Sequence, residues 1–169
     1  MSQTLGMSRA RYPAIADLRR AARARLPRFV WDYLDSATGA ESFAARNRAA
    51  LDAITFAPSI LHGEITPKLE TDLLGHRWAL PVGIAPVGMS GLIFPEAERV
   101  LARAAARARL PYTFSTVAAD TPEAVGPATD GKGWFQLYPP RDQDIRADML
   151  KRARDAGFST LVLTVDLPT

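Results

Sequence analysis

Residues 80–88 read Leu-Pro-Val-Gly-Ile-Ala-Pro-Val-Gly, a continuous apolar run closed by Pro86 and Gly88. A run of this kind is expected of a strand buried on both faces whose end stays open for a ligand. A helix is expected next, over residues 95–110. Val100, Leu101, Ala104, Ala105 and Ala108 fall at helical spacing there, with Arg99, Arg103 and Arg107 on the other face. Strand followed by helix makes a βα unit. Further strand-like runs begin near Tyr112, Trp134 and Thr160, separated by stretches with helical patterning. The sequence Thr121-Pro122-Glu123 is a helix start signal. Ile145, Met149, Leu150 and Ala153 line one face of the following helix, and Gly157 ends it. Four βα units in succession predict the first half of an α/β fold, the (β/α)8 or TIM barrel, which takes about 250 residues in all.

Upstream of residue 80 the pattern changes. Residues 1–12 are small and polar and are expected to form a mobile tail. Residues 13–79 are expected to be a helical cap with an irregular segment. Pro13 opens a helix with Ile15, Leu18 and Ala22 on one face, and Pro27 starts another with Phe29, Val30, Tyr33 and Leu34 as its stripe. A third, from about Glu41 to Ile54, turns Phe43, Leu51 and Ile54 inward. Around residues 59–61 and 70–74 the pattern fits short strands or turns equally. Residues 80–169 then form the half-barrel.

Composition bounds the function. The chain has 169 residues, 47% of them hydrophobic, enough for a real core. It has no cysteine, which excludes disulfides and cysteine metal sites. Net charge is +3, and the arginines alternate with alanine on helical faces without interleaved aromatics. That is the pattern of a solvated surface, so no nucleic-acid partner is expected. No run reaches the ~18 apolar residues of a membrane span, and the first residues lack the apolar core of a signal peptide. A cytoplasmic protein is expected.

In such a barrel the reactive groups lie at the carboxyl ends of the strands. Here these are residues 85–88, Ser115 and Thr116, Gln136 to Tyr138, and Thr164 with Asp166. Lacking histidine and holding one carboxylate, the set suits no metal. It suits the polar edge of a planar heterocycle, with Gly88 letting the ring approach the backbone. Tyr33, just before the turn 35–39, reads by itself as a packing residue with its hydroxyl satisfied locally.

LPVGIAPVG at 80–88, FSTVA at 114–118, WFQLY at 134–138 and LTVDLP at 163–168, in this order and spacing, resemble the FMN-dependent 2-hydroxy acid dehydrogenases and oxidases. That family includes glycolate oxidase, L-lactate dehydrogenase and mandelate dehydrogenase. The likeness extends upstream through PRFVWDY at 27–33, residues 41–48 and Leu73-Leu74-Gly75, so it covers nearly the whole chain after the tail. It implies FMN as cofactor and oxidation of a small L-2-hydroxy acid of lactate, glycolate or mandelate type to the 2-oxo acid. Pro86, Val87 and Gly88 would lie against the flavin, while Ser115, Gln136 and Thr164 would bond its polar edge. Tyr138 would bond the oxygen at the carbon being oxidised, and Tyr33 the substrate carboxylate.

The family's general-base histidine, substrate arginines and flavin lysine do not align within this chain. The resemblance therefore makes the C-terminal half of the barrel a partner, on the same product or a separate chain. His62 and His76 read as surface residues. The family also implies a homo-oligomer, commonly a tetramer, and in some members peripheral association with the inner membrane. Gly88 stands where the oxidases more often carry alanine, which leans toward a dehydrogenase. Residues 35–41 are less glycine-rich than the family's acidic turn, which bears on the cap and on substrate choice. Two other readings compete. Gly83, Ala85 and Gly88 fall at dinucleotide-fold offsets, but the central residue is alanine and Pro86 breaks the turn. The chain could also be a catalytically incomplete half-barrel that binds FMN at most.

Overall fold

The computed structural model describes residues 11–61 and 63–165, so most of the expected tail, His62 and Asp166 lie outside the described residues. By its internal contacts the chain divides into two compact units, with the boundary between Gly63 and Glu64.

The first unit carries α1 (Ile15–Arg23), α2 (Arg28–Asp35) and α3 (Ser42–Asp52), the three helices expected from the proline and apolar spacing. Arg19 makes a two-point ion pair with Asp35, at 2.9 and 2.8 Å, which joins α1 to the end of α2. Arg19 and Arg23, one helical turn apart, both lie over the Trp31 ring. Of the expected α2 stripe only Val30 is buried; Phe29, Tyr33 and Leu34 are exposed. Phe43, Leu51 and Ile54, expected to point inward, are also exposed, Phe43 at 68%. Helical spacing identified these stripes, but no residue described here covers them.

The second unit opens with a hairpin. Strands β1 (Thr71–Leu73) and β2 (His76–Trp78) pair antiparallel, which resolves the open reading at 70–74. Leu74 and Gly75 form the two-residue turn with φ of 52° and 80°, the positive values that a hairpin of right-twisted strands needs. Next come α4 (Ser90–Ile93), α5 (Ala97–Ala108) and β3 (Thr113–Ser115). After them follow α6 (Pro122–Val125), a 3-10 turn (Gly126–Thr129), β4 (Gly133–Leu137), α7 (Gln143–Asp155) and β5 (Phe158–Leu163). Strands β3, β4 and β5 are parallel neighbours in sequence order.

The run at 80–88 lies beside β3 as the fourth parallel member, but it is not the continuous buried strand expected. A single bridge joins Ile84 to Tyr112, through Ile84 N to Pro111 O at 2.9 Å and Thr113 N to Ile84 O at 3.0 Å. Pro81, Pro86 and Pro111 have no N–H to extend the ladder, and Val82 is 57% exposed.

Helices cover one face of the sheet. Phe114, Phe135 and Phe158 cluster with ring centroids 5.5 to 6.2 Å apart, Phe114 stacked on the other two, and Val125, Ala102, Ala105 and Ala153 from the helices close over them. Each buried ring contributes about 1.5–3 kcal/mol by leaving water. The buried face of α5 is rotated from the one expected. Ala97, Glu98, Ala102 and Ala105 are buried, whereas Val100, Ala104 and Ala108 are exposed. On β5 the register places Leu161 and Leu163 on the face of Phe135 and Leu137, yet they are 51% and 54% exposed. No helix described here covers that end of the sheet.

Candidate flavin-type site at the strand ends

Strand alternation sends Phe114, Phe135 and Leu137 toward the helices and leaves Ser115 and Gln136 on the opposite face, both 3% exposed. At this carboxyl end the Gln136 amide is the hub. Its Oε1 accepts the Ser115 hydroxyl at 3.1 Å and Thr116 N at 3.2 Å, and its Nε2 donates to Thr164 Oγ1 at 2.8 Å. Residues at the carboxyl ends of three successive strands therefore form one hydrogen-bonded row. Having accepted from Gln136, the Thr164 hydroxyl keeps its proton to donate, and the Gln136 amide carries a second N–H.

Tyr138 follows β4 directly. Its backbone N–H donates to Thr116 Oγ1 at 3.0 Å, and the same hydroxyl donates to the Gln136 carbonyl at 2.5 Å. Thr116 thus fixes the chain between Gln136 and Tyr138. Residues 86–88 come to this same end of the sheet, held by Met89 N donating to Val117 O at 2.8 Å. The structure therefore brings together six of the expected positions with Tyr138. The remaining one, Tyr33, is half exposed on α2 of the first unit.

A buried acid not singled out from the sequence lies behind these loops. Glu98, in the first turn of α5, is 1% exposed, and its Oε1 accepts Gly91 N and Ala119 N, both at 3.0 Å. Burial works to raise its carboxyl pKa, but bonds from its own N–H, Ala119 N, the Ser90 hydroxyl and Gly91 N together hold it below the ordinary value. Arg99 beside it pairs with Asp120 at 2.6 Å. Spacing with Leu101, Ala102 and Ala105 was the available signal for Glu98: an acid on a buried stripe needs dedicated partners.

His76, expected at the surface, is less exposed than that. It is partly buried in β2, edge-on to Trp78 at 5.8 Å, with Nε2 3.2 Å from Ser159 Oγ, near the amino end of β5 and away from the Gln136 row. Among the described residues no group of three or more His, Cys, Asp or Glu side chains could hold a metal ion, and no helix is long and apolar enough to cross a membrane.

A parallel sheet with helices between successive strands defines an α/β protein, with a hydroxyl–amide–hydroxyl row at its strand ends. A family model described as FMN-dependent dehydrogenase matches residues 22–169, and the chain belongs to that family. Among its relatives, 4-hydroxymandelate oxidase of Amycolatopsis orientalis is 41% identical over 157 residues, 93% of this chain and 44% of that protein. L-lactate dehydrogenase of Xanthomonas campestris pv. campestris (strain 8004) is 42% identical over 156 residues, 92% of this chain and 40% of the relative. The crystal structure of mandelate oxidase with 3,3-difluoro-2-hydroxy-3-phenylpropionic acid matches with a TM-score of 0.85 at 40% identity, over 94% of this chain and 47% of that one. The chain thus spans less than half the length of these relatives.

Proposed function

We propose that this chain is the FMN-binding portion of a 2-hydroxy acid dehydrogenase or oxidase, supplying an N-terminal helical cap and the first four βα units of a (β/α)8 barrel. The observation that carries the reading is the Ser115–Gln136–Thr164 row. Its alternating hydroxyl and amide groups match a heterocycle edge that offers both acceptors and donors. Residues 86–88, whose loop reaches the same sheet end, would add backbone against the ring. When bound, FMN supplies the two-electron acceptor for conversion of a 2-hydroxy acid to its 2-oxo acid.

This chain's own residues would then orient the substrate. Tyr138 would hydrogen-bond the oxygen at the reacting carbon and stabilise the charge that develops there, while Tyr33 would hold the carboxylate. The substrate this reading implies is a small acid of the lactate, glycolate or mandelate type. Exposed Leu161 and Leu163 on β5 support a completing C-terminal half as partner, which would supply the general base, the arginines and the flavin lysine.

One observation favours a narrower role for the chain alone. His76 stands near the amino end of β5, so no described histidine is available beside Tyr138 as a base. The expected outcome of titrating the chain with FMN is saturable quenching of flavin fluorescence, with no bleaching by lactate, glycolate or mandelate under anaerobic conditions. Adding the completing half should bring bleaching. Fluorescence unchanged by the chain would overturn the proposal.

A further inference from the structure

We infer that Glu98 is a positioning residue for the cofactor site: it sets the spacing between the 86–91 segment, which ends in the first turn of α4, and the 115–120 segment, which leaves the end of β3, by accepting one backbone N–H from each. The inference rests on the FMN reading above. Both bonds converge on a single oxygen, Oε1, at 3.0 Å from Gly91 N and 3.0 Å from Ala119 N. Gly91 follows residues 86–88 by one short turn, and Ala119 follows Ser115 by four residues. A buried carboxylate bonded to both therefore couples the backbone expected against the ring to the hydroxyl expected at its edge.

Three further contacts make the junction specific. Met89 N donates to Val117 O at 2.8 Å between the same two loops. Arg99, the next residue on α5, holds Asp120 at 2.6 Å, so the first turn of that helix grips the second loop twice. A Cβ on Gly91 would lie 2.7 Å from Ala119 Cβ and 3.1 Å from Glu98 Oε2, so the loops and the acid are in closest contact here. Two bonds from part-buried backbone amides to one buried carboxylate are charge-assisted and among the stronger contacts of their kind.

The test uses the full chain and reads two quantities. Amide hydrogen exchange at Gly91 and Ala119, without cofactor, should be slow in the native chain and accelerate at both positions in Glu98→Gln and more so in Glu98→Ala. FMN affinity, from fluorescence quenching, should weaken by ~10-fold in Glu98→Gln, which keeps one acceptor oxygen and loses the charge, and by ~100-fold in Glu98→Ala, which loses both bonds. Val125→Ala is the reference for destabilisation alone. Val125, at the end of α6, is fully buried in the core cluster and makes neither loop bond, so this variant should lower the melting temperature while keeping FMN affinity within about twofold. Equal losses of affinity in Val125→Ala and Glu98→Gln would overturn the inference, as would unchanged exchange at Gly91 and Ala119. A native chain that takes up no FMN while both amides still respond to Glu98→Gln would instead defeat the flavin reading and leave Glu98 as a loop clamp only.

Discussion

Thr116 and Gln136 hold each other twice: the Thr116 hydroxyl donates to the Gln136 carbonyl at 2.5 Å, and Thr116 N donates to the Gln136 side-chain oxygen at 3.2 Å. One residue thereby fixes both the main chain and the amide orientation of the other. Because the same hydroxyl accepts Tyr138 N at 3.0 Å, the path from the row to Tyr138 is set at Thr116.

Thr116→Val keeps the shape of the side chain and removes its donor and acceptor. The Gln136 carbonyl and the Tyr138 N–H then lose their partner, which costs about 1–3 kcal/mol. Chemical denaturation should show this as a lower midpoint with an unchanged slope. Thr116→Ser should recover most of it, since the hydroxyl is what the site uses.

Gln136→Leu removes the hub while preserving bulk. The Ser115 hydroxyl and Thr116 N lose an acceptor and Thr164 loses a donor. A stability loss of about 1–3 kcal/mol is expected, together with FMN binding too weak to detect by fluorescence. Retention of full FMN affinity would remove the row from the site.

How far the sequence could disclose this follows from particular residues. Ser115, Gln136 and Thr164 were legible because each closes a strand-like run, and barrel chemistry sits at strand ends. The atoms that meet were not, since the amide orientation of Gln136 depends on Thr116 from another strand. Helix α5 was legible from its alanine and arginine spacing, but its buried face was not. Glu98 finds its partners at Gly91 and Ala119, and bonds made by tertiary contact leave no mark in periodicity. The β1–β2 hairpin was ambiguous because Leu74, whose residue type signals no turn, takes φ of 52° there. Prolines in the 80–88 run were visible, yet its apolar character outweighed them, and the ladder shrank to one bridge.

Gly126 should tolerate no side chain. A Cβ there would overlap the Ala156 carbonyl oxygen and come within 2.9 Å of its carbon, and that backbone ends α7. Neither group can rotate away, so the 3-10 turn must separate from α7. Gly126→Ala is expected to destabilise the second unit by about 3 kcal/mol, at the upper end of ordinary overpacking. Thermal unfolding followed by circular dichroism checks it. Gly131→Ala is the comparison: its Cβ would meet open space, and only its φ of 70° opposes the change.

Glu123 and Arg152 join α6 to α7 through a two-point contact at 2.7 and 3.0 Å. Hydrogen bonding from the Arg152 guanidinium pushes the Glu123 carboxyl from an ordinary 4.5 down to about 2. A carboxyl depressed in the folded state contributes stability that is complete above its unfolded value and is lost as pH falls through the folded one. The window here runs from about 4.5 down to about 2. Both side chains are largely solvated, so water and salt screen the pair and its effect on stability is small. The site-specific readout is therefore the sharper one. Carboxyl-carbon NMR of Glu123 should titrate near 2 in the native chain and return toward 4.5 in Arg152→Ala. Glu123 titrating in the ordinary range with Arg152 present would show that the two helices do not hold this pair in solution.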